Sequence, residues 1–242
     1  MVADNNHVSL RERVAELLFT FGSFVGSVGL GNLLPAMLVL GLISLDIFGD
    51  DIFKSLSVNL ILLAVANALS LLFLVGISML QKLKLQELFS LKLPDKKIIW
   101  LLPAALAYVT FLVSVMLLVK LLFPSADLEQ AQKIPFIGAK GTTQVIISFI
   151  ALVIVAPIAE ELLYRGYLLS RLRKTFPYGV SIFLTSLVFA LAHGQLNVGI
   201  DTFILSLALC FLVYKTDSIV PSIILHACKN GLAFLLLFVF KL

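Results

Sequence analysis

Ala156-Pro157-Ile158-Ala159-Glu160-Glu161-Leu162-Leu163-Tyr164-Arg165-Gly166-Tyr167, continuing from Leu168 to Arg173, follows a nearly pure apolar run from Val145 to Val155. The run reads as a membrane-spanning helix, so two adjacent carboxylates and an arginine sit where the surroundings are hydrocarbon. Each such charge costs about 2.5–3.5 kcal/mol at a helix centre on translocon scales. Three within six residues call for partners in the folded protein. His193, His226 and Asn230 are the candidates, because each is a polar group inside another apolar run.

The rest of the chain agrees with a membrane setting. Of its 242 residues, 60% are hydrophobic and 13% charged, against about 25% charged in soluble proteins. Several runs reach the length of a spanning helix. The expected fold is an all-α, polytopic transmembrane bundle of about seven spans, in a single integral membrane domain over 1–242. The net charge of +4 does not suggest nucleic acid, since lysines and arginines gather in short loops, as topology signals do. Cys210 and Cys228 both lie in apolar runs and read as buried small hydrophobes. No cleavable signal is expected, because the first apolar stretch begins near Leu17 and is too long for a signal-peptide core.

In chain order, Leu10, Val14, Leu17 and Leu18 at helical spacing predict a short interfacial helix. It leads into a first span over about 18–45, where Gly22-x-x-x-Gly26 allows close helix contact. Asp46, Asp50 and Asp51 end that span. Further spans are expected near 58–80, with Asn59 and Asn67 bonding to neighbouring helices, and near 100–122, with Trp100 at an interface. After a polar connection over 124–141 come spans near 143–172, 178–194, 198–214 and 219–240. Lys215 and Lys229 are expected to snorkel or to lie at the interface. The 81–97 loop and the Arg171-Arg173-Lys174 cluster fall on one side, which should be the cytoplasm together with the N-terminus. Short loops and compact size lean towards a prokaryotic plasma membrane.

Glu161 and Arg165, four residues apart, share a helix face and can pair. Glu160 lies about 100° round the helix, beside Tyr164. One carboxylate is thus neutralised while the other stays free to act as a base. His226 and Asn230 share a face of the last span, and His193 ends the fifth. Along ideal helices His193 falls deeper from the cytoplasmic end than His226, which calls for a tilted fifth helix or a deep cavity. Singly, each group has an ordinary reading: a structural ion pair, a helix-end histidine, or interhelical hydrogen-bonding glue. Together, they point to chemistry.

Glu160-Glu161-x-x-x-Arg165, Phe189-x-x-x-His193 and His226-x-x-x-Asn230, with Leu162-Leu163-Tyr164-Arg165-Gly166, resemble the signature of the CPBP family. These are the CAAX-prenyl-endopeptidase and bacteriocin-processing (Abi) intramembrane proteases. The resemblance covers about 145–240 and implies a helical bundle with a polar cavity inside the membrane. It implies that Glu160 and His193 hold and activate a water, with Glu160 as general base. His226 and Asn230 would stabilise the oxyanion, and Glu161 and Arg165 would orient and tune Glu160. The implied function is hydrolysis of a peptide bond in a membrane-associated or lipid-linked substrate, with no cofactor. Three alternatives stand beside it. A zinc-dependent version would use His193, His226 and Glu160 as ligands, although no His-Glu-x-x-His helix pre-assembles them. A non-catalytic bacteriocin-immunity or partner-binding protein is the second. A proton-coupled transporter is the third, but the inverted repeats expected of one are not visible.

Overall fold

The computed structural model describes residues 9–45, 56–125, 128 and 141–240, and every regular element among them is helical. Helix α1 runs Leu10–Ser44 and α2 Leu56–Leu80; α3 is the single turn Leu85–Leu88. Helix α4 is Lys96–Leu122, opening with a 3₁₀ turn, and α5 is Thr142–Thr175. Then follow α6 (Tyr178–Leu191), α7 (Leu196–Thr216) and α8 (Val220–Phe234), the last continuing as a π-helical stretch, Leu235–Phe240. Six of these helices are long and apolar enough to cross a membrane. The polytopic bundle expected from composition is therefore present.

Two expected elements take a different form. The predicted interfacial helix is not separate: α1 is one helix from Leu10, started by a capping box in which Ser9 and Glu12 satisfy each other's backbone N–H. Nothing in the sequence after Glu16 breaks it, and at 35 residues it is about 52 Å long, more than the ~30 Å hydrocarbon core. The fifth span is the opposite case. Helix α6 has 14 residues, about 21 Å, and stops short of a full crossing. The Asp46–Asp51 end of the first span and most of the 124–141 connection lie outside the described residues.

Close packing also falls elsewhere than expected. A Cβ on Gly22 or Gly26 would meet nothing within 4 Å, whereas one on Gly31 would meet the backbone of α2, 2.7 Å from Ser70 N and 2.8 Å from Ala66 O. Gly31, not the Gly22-x-x-x-Gly26 pair, lets α1 and α2 touch within the chain. Asn67 donates to Leu63 O of its own helix rather than across to another. Cys210 is buried as expected, but Cys228 is exposed on the bundle surface.

Helix α5 sits at the centre. Its Tyr167, Leu168 and Leu172 are buried against Phe24 of α1, Leu74 of α2 and Phe189 of α6, and Ser23 Oγ meets Tyr167 OH at 2.6 Å. Arg171 pairs with Glu16, joining the start of α1 to the end of α5. At the same end the chain around α3 is laced to the α7–α8 turn. Ile219 N donates to Ser90 O (3.0 Å), Ser218 Oγ to Lys92 O (2.5 Å) and Ser90 Oγ to Asp217 O (2.6 Å). Ser218 and Ile219 are consequently buried. This submerges the start of α8, so His226, only six residues past Val220, is already deep. That buried start brings it level with Glu160 and Glu161 in the middle of α5.

Gly31→Ala should lower stability in detergent by about 1–3 kcal/mol, as overpacking does, whereas Gly22→Ala and Gly26→Ala should leave the monomer's unfolding midpoint within experimental error. Thermal unfolding of the three variants reads both.

Candidate active site

The site is built from an irregularity in α5. Residues Ile150–Val155 and Leu162–Leu169 are wound as π-helix, on either side of the α-helical Ala156–Glu161. Such segments recur at functional sites because they free backbone groups and re-aim side chains. Here proline supplies the cause. In the π register Ala156 N bonds to Ala151 O, so residue 157 would bond to Leu152 O. Pro157 has no N–H to give. The freed Leu152 carbonyl accepts instead from Asn230 Nδ2 of α8 at 3.0 Å. The interruption of one helix thereby fixes an amide on another and leaves its second N–H available.

One turn before Asn230, His226 is 97% buried and meets both carboxylates. Its Nδ1 lies 2.9 Å from Glu161 Oε1, and Arg165 Nη1 reaches the same oxygen at 2.9 Å. Glu161 and Arg165 have no exposed surface. The carboxylate can only accept, so Nδ1 donates and the ring is held with Nε2 pointing away from Glu161. Nε2 then faces Glu160 Oε2 across 3.7 Å, too far for a direct hydrogen bond. Unlike Glu161, the Glu160 side chain keeps 27% of its surface open. The two neighbouring glutamates therefore occupy unlike places: one sealed between a guanidinium and an imidazole, the other at the edge of an opening.

Phe189 closes the arrangement. Its buried ring lies under the Arg165 guanidinium, 4.5 Å from centroid to Cζ, a cation–π contact in a dry place. The same ring packs edge-on against Tyr164 (4.8 Å), His193 (4.8 Å) and His226 (5.9 Å). His193, just beyond the end of α6, donates Nδ1–H to Phe189 O at 2.8 Å, which leaves its Nε2 lone pair outward. The structure thus joins His193 to His226 through one phenylalanine, with no direct hydrogen bond between them among the described residues. All six residues singled out by spacing come to this region of α5, α6 and α8. Zinc ligation is not pre-assembled: among the described residues no three His, Cys, Asp or Glu side chains form a group that could hold a metal ion. The set His193, His226 and Glu160 does not fit one as it stands.

Asp201, Tyr108 and Pro157 were not anticipated. Lys229, on α8, pairs through Nζ with Asp201 Oδ2 of α7 at 2.9 Å, and Tyr108 OH of α4 donates to the other oxygen at 2.5 Å. Asp201 was legible as a lone carboxylate in an apolar run, and Pro157 as a proline inside a helix. Lys215, by contrast, does stack over Trp100 (4.8 Å) near the start of α4. Beside His193, an apolar groove of about 580 Å³ runs between α4, α6 and α7, from Gly194 and Gln195 along Gly199, Phe203 and Ile204 to Phe111.

Comparison with known families then bears on this geometry. Residues 142–232 match the family model Rce1-like, described as type II CAAX prenyl endopeptidase Rce1-like. The match takes in α5 to most of α8, including all three motifs, and agrees with the resemblance those motifs carry to the CPBP/CAAX protease family. No curated protein and no solved structure matches. The family match points to a protease, and the apolar helices to an integral membrane protein.

Stability should separate the two glutamate environments. Arg165→Met, which strands a buried carboxylate, should cost about 3–5 kcal/mol. Asn230→Ala, which orphans one carbonyl, should cost about 1–3 kcal/mol. Glu160→Gln should cost within about 1 kcal/mol, since that side chain is partly open. Chemical unfolding of the detergent-solubilised variants checks the order.

Proposed function

We propose that the protein is an intramembrane endopeptidase that hydrolyses a peptide bond in a membrane-associated or lipid-linked substrate with a water activated by Glu160. The observation carrying this reading is the division between Glu161, sealed against Arg165 and His226, and Glu160, partly open and 3.7 Å from His226 Nε2. A buried ion pair needs one carboxylate; a second, left unpaired beside an imidazole in hydrocarbon, is costly unless it works.

In the mechanism Glu160 takes a proton from the water and His193, through its outward Nε2, helps hold that water. The oxygen attacks the scissile carbonyl. His226, whose Nδ1 is held by Glu161 so that Nε2 faces the site, and the spare N–H of Asn230 stabilise the oxyanion as it forms. Glu160 then returns the proton to the leaving amine. Glu161 orients His226 by direct contact and Arg165 holds Glu161, so their tuning of Glu160 goes through that imidazole. The apolar groove beside His193 offers a lipid-like surface where an apolar or lipid-linked segment can lie. The basic end of the bundle, with the 81–97 loop and Arg171-Arg173-Lys174, faces the cytoplasm together with the N-terminus. The alternative chemistry through zinc receives no support from the spacing of its ligands, and binding without catalysis leaves the open Glu160 without a purpose.

Cleavage of membrane-associated peptides by purified protein, followed by mass spectrometry, tests the reading. Wild type should cleave with and without chelator, and Glu160→Ala should lose at least about a hundredfold in rate while remaining folded. Undiminished turnover by Glu160→Ala contradicts the base assignment, and loss in chelator transfers the reaction to a metal.

A further inference from the structure

The Tyr108–Asp201–Lys229 cluster has no part in the mechanism above. It joins the middle of α4, the first turns of α7 and the middle of α8, where charges are costly. As a purely structural device it is a poor choice, because an ion pair so placed gains little over apolar packing. The cluster is also partly open: the Lys229 and Asp201 side chains keep 21% and 20% of their surface, close to the 27% of Glu160. Asp201 is fully engaged, one oxygen taken by Tyr108 OH and the other by Lys229. Lys229 is not, since an ammonium has three N–H donors and one goes to Asp201.

Its place matters as much as its spare donors. Lys229 precedes Asn230, the proposed oxyanion donor. Asp201 is five residues past Leu196, about 8 Å along α7 from the turn that carries His193. The groove wall formed by Gly199, Ile200 and Ile204 includes the same turns of α7. An extended peptide advances about 3.3–3.6 Å per residue. Lys229 and Asn230 are consecutive on α8, about 100° apart round the helix, so one extended chain of a few residues could meet both.

Resting on the proposed protease reading, we infer that Lys229 binds the C-terminal carboxylate of the substrate, with Asp201 and Tyr108 holding its ammonium in place. The carboxylate takes the spare N–H donors, and the charge-assisted bonds orient the chain end. The site would then count residues from the terminus and set where the bond is cut.

The test uses an S-farnesylated peptide with three residues after its cysteine, made as the free acid and as the C-terminal amide. Binding to full-length Glu160→Ala protein and cleavage by Glu160-intact protein are both measured. The acid should bind about tenfold more tightly than the amide, with the difference in KM rather than kcat. Lys229→Met should remove the preference by weakening the acid alone, and Lys229→Arg should restore it. Because Lys229→Met leaves Asp201 unpaired and can fail to fold, Asp201→Asn/Lys229→Met removes both charges and should show the same loss. Equal binding of acid and amide by the parent protein overturns the inference, as does a preference that survives in either methionine variant. A parent protein that binds the acid preferentially but cleaves neither form refutes the protease reading and leaves the carboxylate site standing.

Discussion

Glu161 Oε1 receives two hydrogen bonds, from Arg165 one turn along its own helix and from His226 of α8, and the site depends on that shared oxygen. Removing an isolated carboxylate from water costs several kcal/mol, recovered only when charge and geometry both answer it. Arg165 answers the charge, and Phe189 lies against the guanidinium face. His226 then joins a pair already fixed, and its ring cannot turn without breaking its bond to Glu161 Oε1. The direction of Nε2 towards Glu160 follows from a structural requirement inside α5.

The second constraint is the backbone. In a bilayer every peptide group needs a partner, and a proline within a span removes one. Helix α5 meets this by winding into π-helix ahead of Pro157 and letting Asn230 take the Leu152 carbonyl. The repair couples α8 to α5 at the level of the glutamates. A submerged α7–α8 turn, covered by Ser90 and Lys92, brings α8 to that depth. The irregular segments of the bundle are thus the ones that assemble the site, while α1, α2 and α4 form its apolar surroundings.

This division explains what could be read from sequence. Long apolar runs announce spans because hydrocarbon imposes length and composition directly, and the i,i+4 relation of Glu161 to Arg165 is intrinsic to a helix. Partners across helices are less legible. Lys229 at a run's polar interruption looks the same whether it reaches for an interface or for Asp201 twenty-eight residues earlier in the chain. Gly22-x-x-x-Gly26 and Gly31 likewise differ only in which face α2 meets, a tertiary fact. Nor does periodicity reveal that His226 bonds to Glu161 rather than to Glu160. Proline in a helix was the available sign of the π segment, and its consequence for Asn230 needed the third dimension.

The central claim is that two adjacent glutamates do different work: Glu161 holds the histidine and Glu160 handles the proton. The most direct measurement compares Glu160→Gln and Glu161→Gln for both unfolding free energy and single-turnover cleavage of one peptide. The account predicts a stable, inactive Glu160→Gln and a clearly destabilised Glu161→Gln whose surviving folded fraction keeps residual turnover. A Glu160→Gln enzyme that cleaves at the wild-type rate, or a Glu161→Gln enzyme as stable as wild type, would contradict it.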